Sequence, residues 1–288
     1  MPNLYSSNPT IENHVDRLLR PLHELLSDPD VQEISIAKGR VYVDGGGPAM
    51  TETPLTVSGI AIRAAIRLLM GANGGYLEYG SPFATLTLAC GARFHGVLPP
   101  VSDEPQISIR THRRILRPLD EFMSEELIEI ICGAVAAKKS IVIGGATSAG
   151  KTTLLNSLLN LIPADQRLLI IEDAPEIQLA EGRHVVRRFA TKTADIRRQV
   201  FEALRDRPDW LIVGETRDAS ARDLLDAART GHPGMSTVHA SSADAIVTRL
   251  MSLANCDREF VREAVDLVVF ISRLPDGRRA VTQIKGVE

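Results

Sequence analysis

The chain has 288 residues, of which 44% are apolar and 24% charged, a composition that excludes wholesale disorder and supports a real buried core. At ~150 residues per domain the length predicts two domains. The net charge of −3, from 33 basic and 36 acidic side chains, argues against gathering polyanions by bulk electrostatics, so direct nucleic-acid binding is not favoured.

In chain order, His14–Leu26 carries apolar residues at helical spacing, with Pro21 as a point of kinking. Val31–Ile36 and Arg40–Val43 alternate as strands about Lys38-Gly39, which predicts a hairpin. Gly45-Gly46-Gly47-Pro48 breaks the pattern. Val57–Met70 reads as a helix stopping at Gly71, with Asn73-Gly74-Gly75 just beyond. Ala84–Leu88, Arg93–Leu98 and Gln106–Arg110 read as strands, so residues 1–110 predict a small α+β domain with a mainly antiparallel sheet.

Residues 111–120 read as the linker, within the basic, proline-containing stretch RTHRRILRPLD. Residues 121–288 then alternate. Helices Glu125–Ala137, Lys151–Leu161, Ala194–Leu204 and Ala219–Arg229 are interleaved with strands Ser140–Gly144, Leu168–Ile171, Trp210–Val213 and Met235–Val238. That order predicts an α/β domain with a mainly parallel sheet covered on both faces. Leu267–Ser272 and Arg279–Ile284 close the chain as a hairpin through Pro275-Asp276-Gly277.

Cys90, Cys132 and Cys256 are scattered and form no C-x-x-C pair, which fits a reducing compartment and argues against a zinc site. Apolar windows such as Leu127–Ala137 fall short of the ~18–20 residues of a membrane span. The opening MPNLYSSNPTIENHVDR lacks the basic and apolar regions of a secretory signal, so the sequence reads as soluble and cytosolic.

One motif outranks the rest. Gly145-Ala146-Thr147-Ser148-Ala149-Gly150-Lys151-Thr152 fits G-x-x-x-x-G-K-[ST], between the apolar Ile141-Val142-Ile143 and the helical TTLLNSLLNL. Such a loop curls its backbone N–H groups toward phosphate oxygens, backed by the positive end of the following helix. Lys151 is suited to bridging β- and γ-phosphates, and the Thr152 hydroxyl to ligating Mg²⁺. With Thr153, these residues form the candidate site for ATP. Glu215 follows the apolar strand Trp210–Val213, at the edge where open α/β sheets bind ligands, and is suited to orienting or deprotonating an attacking water. Glu172 and Asp173 end a second strand at the same edge, a further candidate metal shell.

With these elements in order, the sequence resembles the secretion ATPase superfamily, and within it the conjugal-transfer, TrbB-like branch. The carrying segments are GGATSAGKTTLLNSLL, then IEDAPEIQL resembling an Asp box. ALRDRPDWLIVGETRDASARDLL resembles a Walker B region, and TGHPGMSTVHA a His box. Weaker similarity reaches back through RFHGVLPP and SIRTHRR. The resemblance implies a RecA-like ATPase domain behind an N-terminal domain, six copies forming a ring. It implies phosphate and magnesium roles for Lys151 and Thr152, and Asp-box roles for Glu172 and Glu176. It implies a catalytic Glu215 closely followed by Arg217, which with Glu172 complete the candidate metal and catalytic groups. It implies γ-phosphate sensing by His239, with His232 as a second candidate, and nucleotide contacts from Arg93 and Arg110. The partners implied are the inner-membrane components of a conjugation or secretion machine, with the protein at the cytoplasmic face of that membrane.

Ser148 and Ala149 depart from the G-T-G-S-G-K-T form common in that family. A side chain at 148 occupies a position that favours glycine, although the phosphate-holding N–H groups remain. The stretch 183–207 is rich in basic residues, among them Arg183, Arg187, Arg188, Lys192, Arg197, Arg198, Arg205 and Arg207. It reads as a solvated face, a subunit contact or an anion-binding patch, with subunit contact favoured for Arg205 and Arg207. Three functional classes compete: a motor ATPase for conjugation, type IV or type II secretion or pilus assembly; a nucleotide-gated docking module with little turnover; and a translocase acting directly on DNA. The aromatic content of 4% is low for base stacking and counts against the last.

Overall fold

A computed structural model describes residues 4–47, 49–72, 82–111, 116–191 and 194–287. The chain divides into two compact units, Met1–Arg114 and Ile115–Glu288. The Asn73-Gly74-Gly75 helix stop, Pro48, Lys192 and residues 112–115 of the expected linker lie outside the described residues.

The first unit opens with helix α1 (Pro9–Leu18), earlier than the apolar spacing suggests. Asn8 sets its start by accepting from the N–H groups of Thr10 and Ile11, with Pro9 at the first turn. Glu12 reaches back, its carboxylate accepting from the N–H groups of Leu4, Tyr5 and Ser6 at 2.7, 2.9 and 2.6 Å. The expected single helix over 14–26 is broken: residues Arg20–Leu22 form a 3₁₀ turn before the short α2 (His23–Ser27). Pro21 is the cause, since it has no N–H to continue the ladder and its ring crowds the preceding turn.

Six strands follow: β1 (Glu33–Ala37), β2 (Arg40–Asp44), β3 (Thr51–Thr56), β4 (Phe83–Thr87), β5 (Arg93–Val97) and β6 (Gln106–Arg110). They form one sheet in the order β3-β2-β1-β6-β5-β4, and every neighbouring pair is antiparallel. Lys38 and Gly39 both take positive φ, the primed turn that a two-residue hairpin requires. Strand β3 is an addition to the sequence reading. It contains Pro54 and lies at the sheet edge, where a missing N–H costs no ladder bond. Helix α3 (Gly59–Ala72) runs through Gly71 rather than stopping there. Its Ile62, Ile66 and Leu69 join Ile34, Ile36, Phe94, Ile107 and Ile109 in one core. The sheet therefore buries one face, and residues alternating with these, such as Glu33, Arg93 and Arg110, share the other.

The second unit contains α4 (Glu125–Ala136), β7 (Ile141–Gly145), α5 (Lys151–Leu159), β8 (Leu168–Glu172), β9 (Val185–Phe189), α6 (Ile196–Ala203) and β10 (Trp210–Val213). After these come α7 (Ser220–Arg229), β11 (Gly234–His239), α8 (Ala243–Ala254), α9 (Arg258–Ala264), β12 (Leu267–Arg273) and β13 (Arg279–Gly286). The seven strands run β13-β12-β7-β11-β10-β8-β9, all parallel except β13, which pairs antiparallel with β12. Strands β7, β8 and β10 are buried throughout, as fits a sheet covered by helices on both faces.

Strand β9 and helices α8 and α9 were not expected. β9 reads VVRRF and sits at the edge, so it has no continuous apolar run to betray it. The two helices do carry start signals: Ser242 caps α8 through the Ala245 N–H at 3.1 Å, and Asp257 caps α9 through Phe260 N–H at 2.9 Å. Residues 116–120, taken with the linker, are built into this unit. The Ser157 hydroxyl donates to the Arg117 carbonyl at 2.6 Å, and Phe122 is buried in the core.

Candidate nucleotide-binding site

Because β7, β8, β10 and β11 are parallel, their carboxyl ends open on one edge, and the residues following each strand gather there. The G-x-x-x-x-G-K-T segment lies between β7 and α5. Its turn is closed by the Ala149 N–H donating to the Ala146 carbonyl at 3.3 Å. Gly150 caps α5 at φ 96°, a conformation open to glycine, and as a glycine it brings no side chain to the helix's first amides. Those amides and the helix dipole make the anion-facing end of the loop. Ala146, Thr147 and Ser148 are exposed, Ala149 is buried, and Thr152 and Thr153 are half-buried in the first turn of α5.

Lys151 is 8% exposed. Its ammonium donates to the carbonyls of Gly145 at 3.2 Å and Ala146 at 2.9 Å, and lies 3.2 Å from Nδ1 of His239. An ammonium only donates, so Nδ1 accepts and the ring proton sits on Nε2. Nε2 is 3.0 Å from Oε1 of Glu215. Lys151, His239 and Glu215, far apart in sequence, thus form one polar chain along the carboxyl edge. The strands beneath it are cross-linked: the Thr216 N–H donates to the Thr237 carbonyl at 2.8 Å, and the Thr237 hydroxyl donates to the Gly214 carbonyl at 2.7 Å. Thr237 is a supporting residue that sequence reading did not single out, because a threonine within a strand looks like any other.

Glu172 ends β8 beside Gly214, but its carboxylate is committed elsewhere. Oε1 accepts from the N–H groups of Glu176 at 2.9 Å and Ile177 at 2.7 Å, while Oε2 faces Nη1 of Arg187 at 3.2 Å. At 2% exposure, burial raises its pKa above the ordinary carboxylate value, only partly countered by those amides and the guanidinium. Glu176 contributes its backbone to this clasp. Arg217 pairs with Asp173. Mg²⁺ takes hard oxygens, commonly one or two from protein together with substrate phosphates and water. The Thr152 hydroxyl and the Glu215 and Glu172 carboxylates offer oxygens of that kind; both Glu172 oxygens face protein donors, and Oε1 of Glu215 faces His239.

His232 lies elsewhere. It precedes β11, whose far end is His239, so about 20 Å of extended chain separates the two imidazoles. Its N–H closes the end of α7 on the Ala227 carbonyl at 3.1 Å, a turn role. Arg93 and Arg110 belong to the first unit, where they are register partners on β5 and β6 and therefore share a sheet face. Arg110 stands 3.6 Å from Glu33.

Several arginines of the basic stretch have partners within the unit, carboxylates among them. Arg183 donates to the Ile162 carbonyl, Arg188 pairs with Asp206, Arg197 with Asp223 at 2.9 Å, and Arg205 with Glu202 at 3.1 Å. Arg198 and Arg207 are exposed. Among the described residues, no helix is long and apolar enough to cross a membrane.

The family model for type II/IV secretion system proteins matches residues 98–282. A probable conjugal transfer protein TrbB of Sinorhizobium fredii is 34% identical, over 91% of this chain and 88% of its own. A conjugal transfer protein TrbB of Rhizobium radiobacter is also 34% identical, over 99% and 94%. Among solved structures, the ATPase DotB of Legionella pneumophila superposes with a TM-score of 0.67 at 22% identity, covering 98% of this chain and 82% of that one. Likeness at that identity bears on the fold, and it agrees with an N-terminal α+β unit followed by a RecA-like α/β unit. The matched segment contains the phosphate loop, Glu215 and His239, and with the full-length similarity to two TrbB proteins it establishes that this chain belongs to the type II/IV secretion system protein family.

Proposed function

We propose that the protein is a hexameric, Mg²⁺-dependent ATPase that energises a conjugative-transfer or type IV secretion apparatus from the cytoplasmic face of the inner membrane. The observation that carries the reading is the chain Lys151–His239–Glu215 at the mouth of the phosphate loop. Catalysed ATP hydrolysis uses positive charge on the phosphates and a group that orients the attacking water. Lys151 is the cation and Glu215 the water-orienting carboxylate. His239, hydrogen-bonded to Lys151 and 3.0 Å from the Glu215 carboxylate, links the two, so a phosphate that draws Lys151 away changes what Glu215 feels. Thr152 and Glu215, with Glu172 as a further candidate, would hold Mg²⁺, and that ion would supply charge that neutralises the phosphates. Glu172 positions the Asp-box loop, and Arg217 restrains Asp173. Arg93 and Arg110 serve nucleotide sensing on the strength of the family resemblance, and Arg205 and Arg207 serve subunit contact on the same ground. The TrbB names of the relatives favour conjugation over the type II secretion and pilus-assembly alternatives.

The test is Glu215→Gln in the full chain. Steady-state phosphate release should fall by about 10³-fold while ATP affinity stays within about threefold. Retained turnover would remove Glu215 from the mechanism. Absent turnover in the wild type, with ATP still bound, would turn the reading to a nucleotide-gated docking module.

A further inference from the structure

The hairpin β12–β13 reaches the phosphate loop from the flank opposite Glu215. β12 is hydrogen-bonded to β7 on one side, while β11 and then β10 lie on the other. Its backbone passes so near the loop that a Cβ on Gly145 would stand 2.5 Å from the Ile271 carbonyl oxygen. At the start of β13, Arg279 lies along the loop itself. Its Nε donates to the Ser148 carbonyl at 3.3 Å, and its Cδ is packed against Gly150, where a Cβ would stand 2.5 Å from it. Arg273 is its register partner across the hairpin, so two guanidinium groups share this face.

Ser148 is the loop's departure from the glycine-rich form, and it sits at φ 60°. The left-handed region disfavours a residue with a Cβ, so a contact from outside the loop helps this peptide to keep its shape. Arg279 is so placed. It grips the carbonyl of the strained residue and braces the glycine two positions on, just before the amides that open α5.

We propose that Arg279 is a nucleotide-positioning residue that holds the Ser148–Gly150 segment in its phosphate-binding shape. The proposal rests on the reading of this loop as an ATP site and adds to it a residue 131 positions away in sequence. Because Arg279 acts from the flank away from Glu215 and His239, its loss falls on affinity and KM rather than on kcat.

The experiment measures ATP affinity by calorimetry, and KM and kcat by phosphate release, on the full-length protein. The variants are Arg279→Ala, Arg279→Lys, Ser148→Gly and the Ser148→Gly/Arg279→Ala double variant. Arg279→Ala should weaken ATP binding and raise KM about tenfold, the worth of one charge-assisted bond, and Arg279→Lys should recover part of this. With glycine at 148 the left-handed peptide carries no strain, so the same Arg279→Ala change should cost less than about threefold. Equal losses in both backgrounds, or a kcat that falls in step with affinity, would overturn the proposal. Should Arg279→Ala lower the unfolding temperature, Arg279→Gln retains much of the aliphatic stem against Gly150 and carries the same comparison. Wild-type protein that takes up no ATP would overturn the underlying reading as well. A wild type that binds ATP and an Arg279→Ala variant that binds it equally well would sink the Arg279 role alone.

Discussion

At the scale of single residues, the site depends on which polar atoms already have partners. Glu172 ends β8 and Glu215 follows β10 at the same sheet edge, yet their environments separate their roles. Glu215 is partly exposed and faces His239, whereas Glu172 is buried and holds two backbone amides and Arg187. Burial dominates at Glu172 and raises its pKa in the folded protein above the unfolded value. The folded state therefore keeps this proton to a higher pH than the unfolded chain does. The associated stability is fully present below the unfolded pKa and is lost as pH rises through the folded one. Glu172→Gln cannot ionise, so its unfolding temperature relative to wild type should improve as pH rises above about 4, the ordinary carboxylate range, and level off once the pH has passed the raised folded-state value. Thermal melts across that range decide it; a difference independent of pH would mean that Glu172 is not desolvated.

At the scale of elements, the carboxyl edge is shaped by how closely helices approach the strand that feeds the loop. Gly144, on β7, faces Ile246 of α8: a Cβ there would stand 2.3 Å from Cγ1 and 2.5 Å from Cδ1 of that fully buried side chain. Gly144→Ala should cost about 1–3 kcal/mol by overpacking, measured by urea unfolding. Ile246→Ala in the same chain removes both crowding atoms, so the double variant should lose less than the sum of the two single losses, and an additive loss would contradict the packing. The buried strands β7, β8 and β10 were legible in the sequence because short continuous apolar runs between turn signals have few other uses. Edge strands β3 and β9 were not, since one carries a proline and the other two arginines whose tolerance depends on lying at an edge. Pro21 marked a kink correctly, yet only the capped start at Asn8 shows where that helix begins.

At the scale of the whole molecule, each of the two units has its own core. The cluster around Ile34, Phe94 and Ile109 falls within residues 4–109, and the clusters around the parallel sheet fall within 122–281. The proposed motor requires assembly, because the family resemblance implies a ring of six. Mass photometry with ATP and Mg²⁺ should find six copies of 31.4 kDa, about 188 kDa. A monomer under all nucleotide conditions would remove the ring from the proposal while leaving the chemistry of the single site intact.

The sequence by itself determined the class of chemistry. A phosphate loop is made of consecutive residues, so strand, glycines, lysine, threonine and helix can be read in one window, and Glu215 announces itself by ending an apolar strand. Parallel topology was also within reach, since alternating strands and helices of this length have few other packings. Tertiary structure decided what depends on neighbours distant in the chain. It joined Lys151 to His239 and Glu215, gave the Glu172 oxygens to a loop and to Arg187, and set His232 at the opposite end of its strand from His239. It also laid Arg279 along the loop. Partners of this kind are chosen by sheet order and register, which place side chains within hydrogen-bond reach only once the hydrophobic faces have packed, and no local pattern of residues encodes that distance.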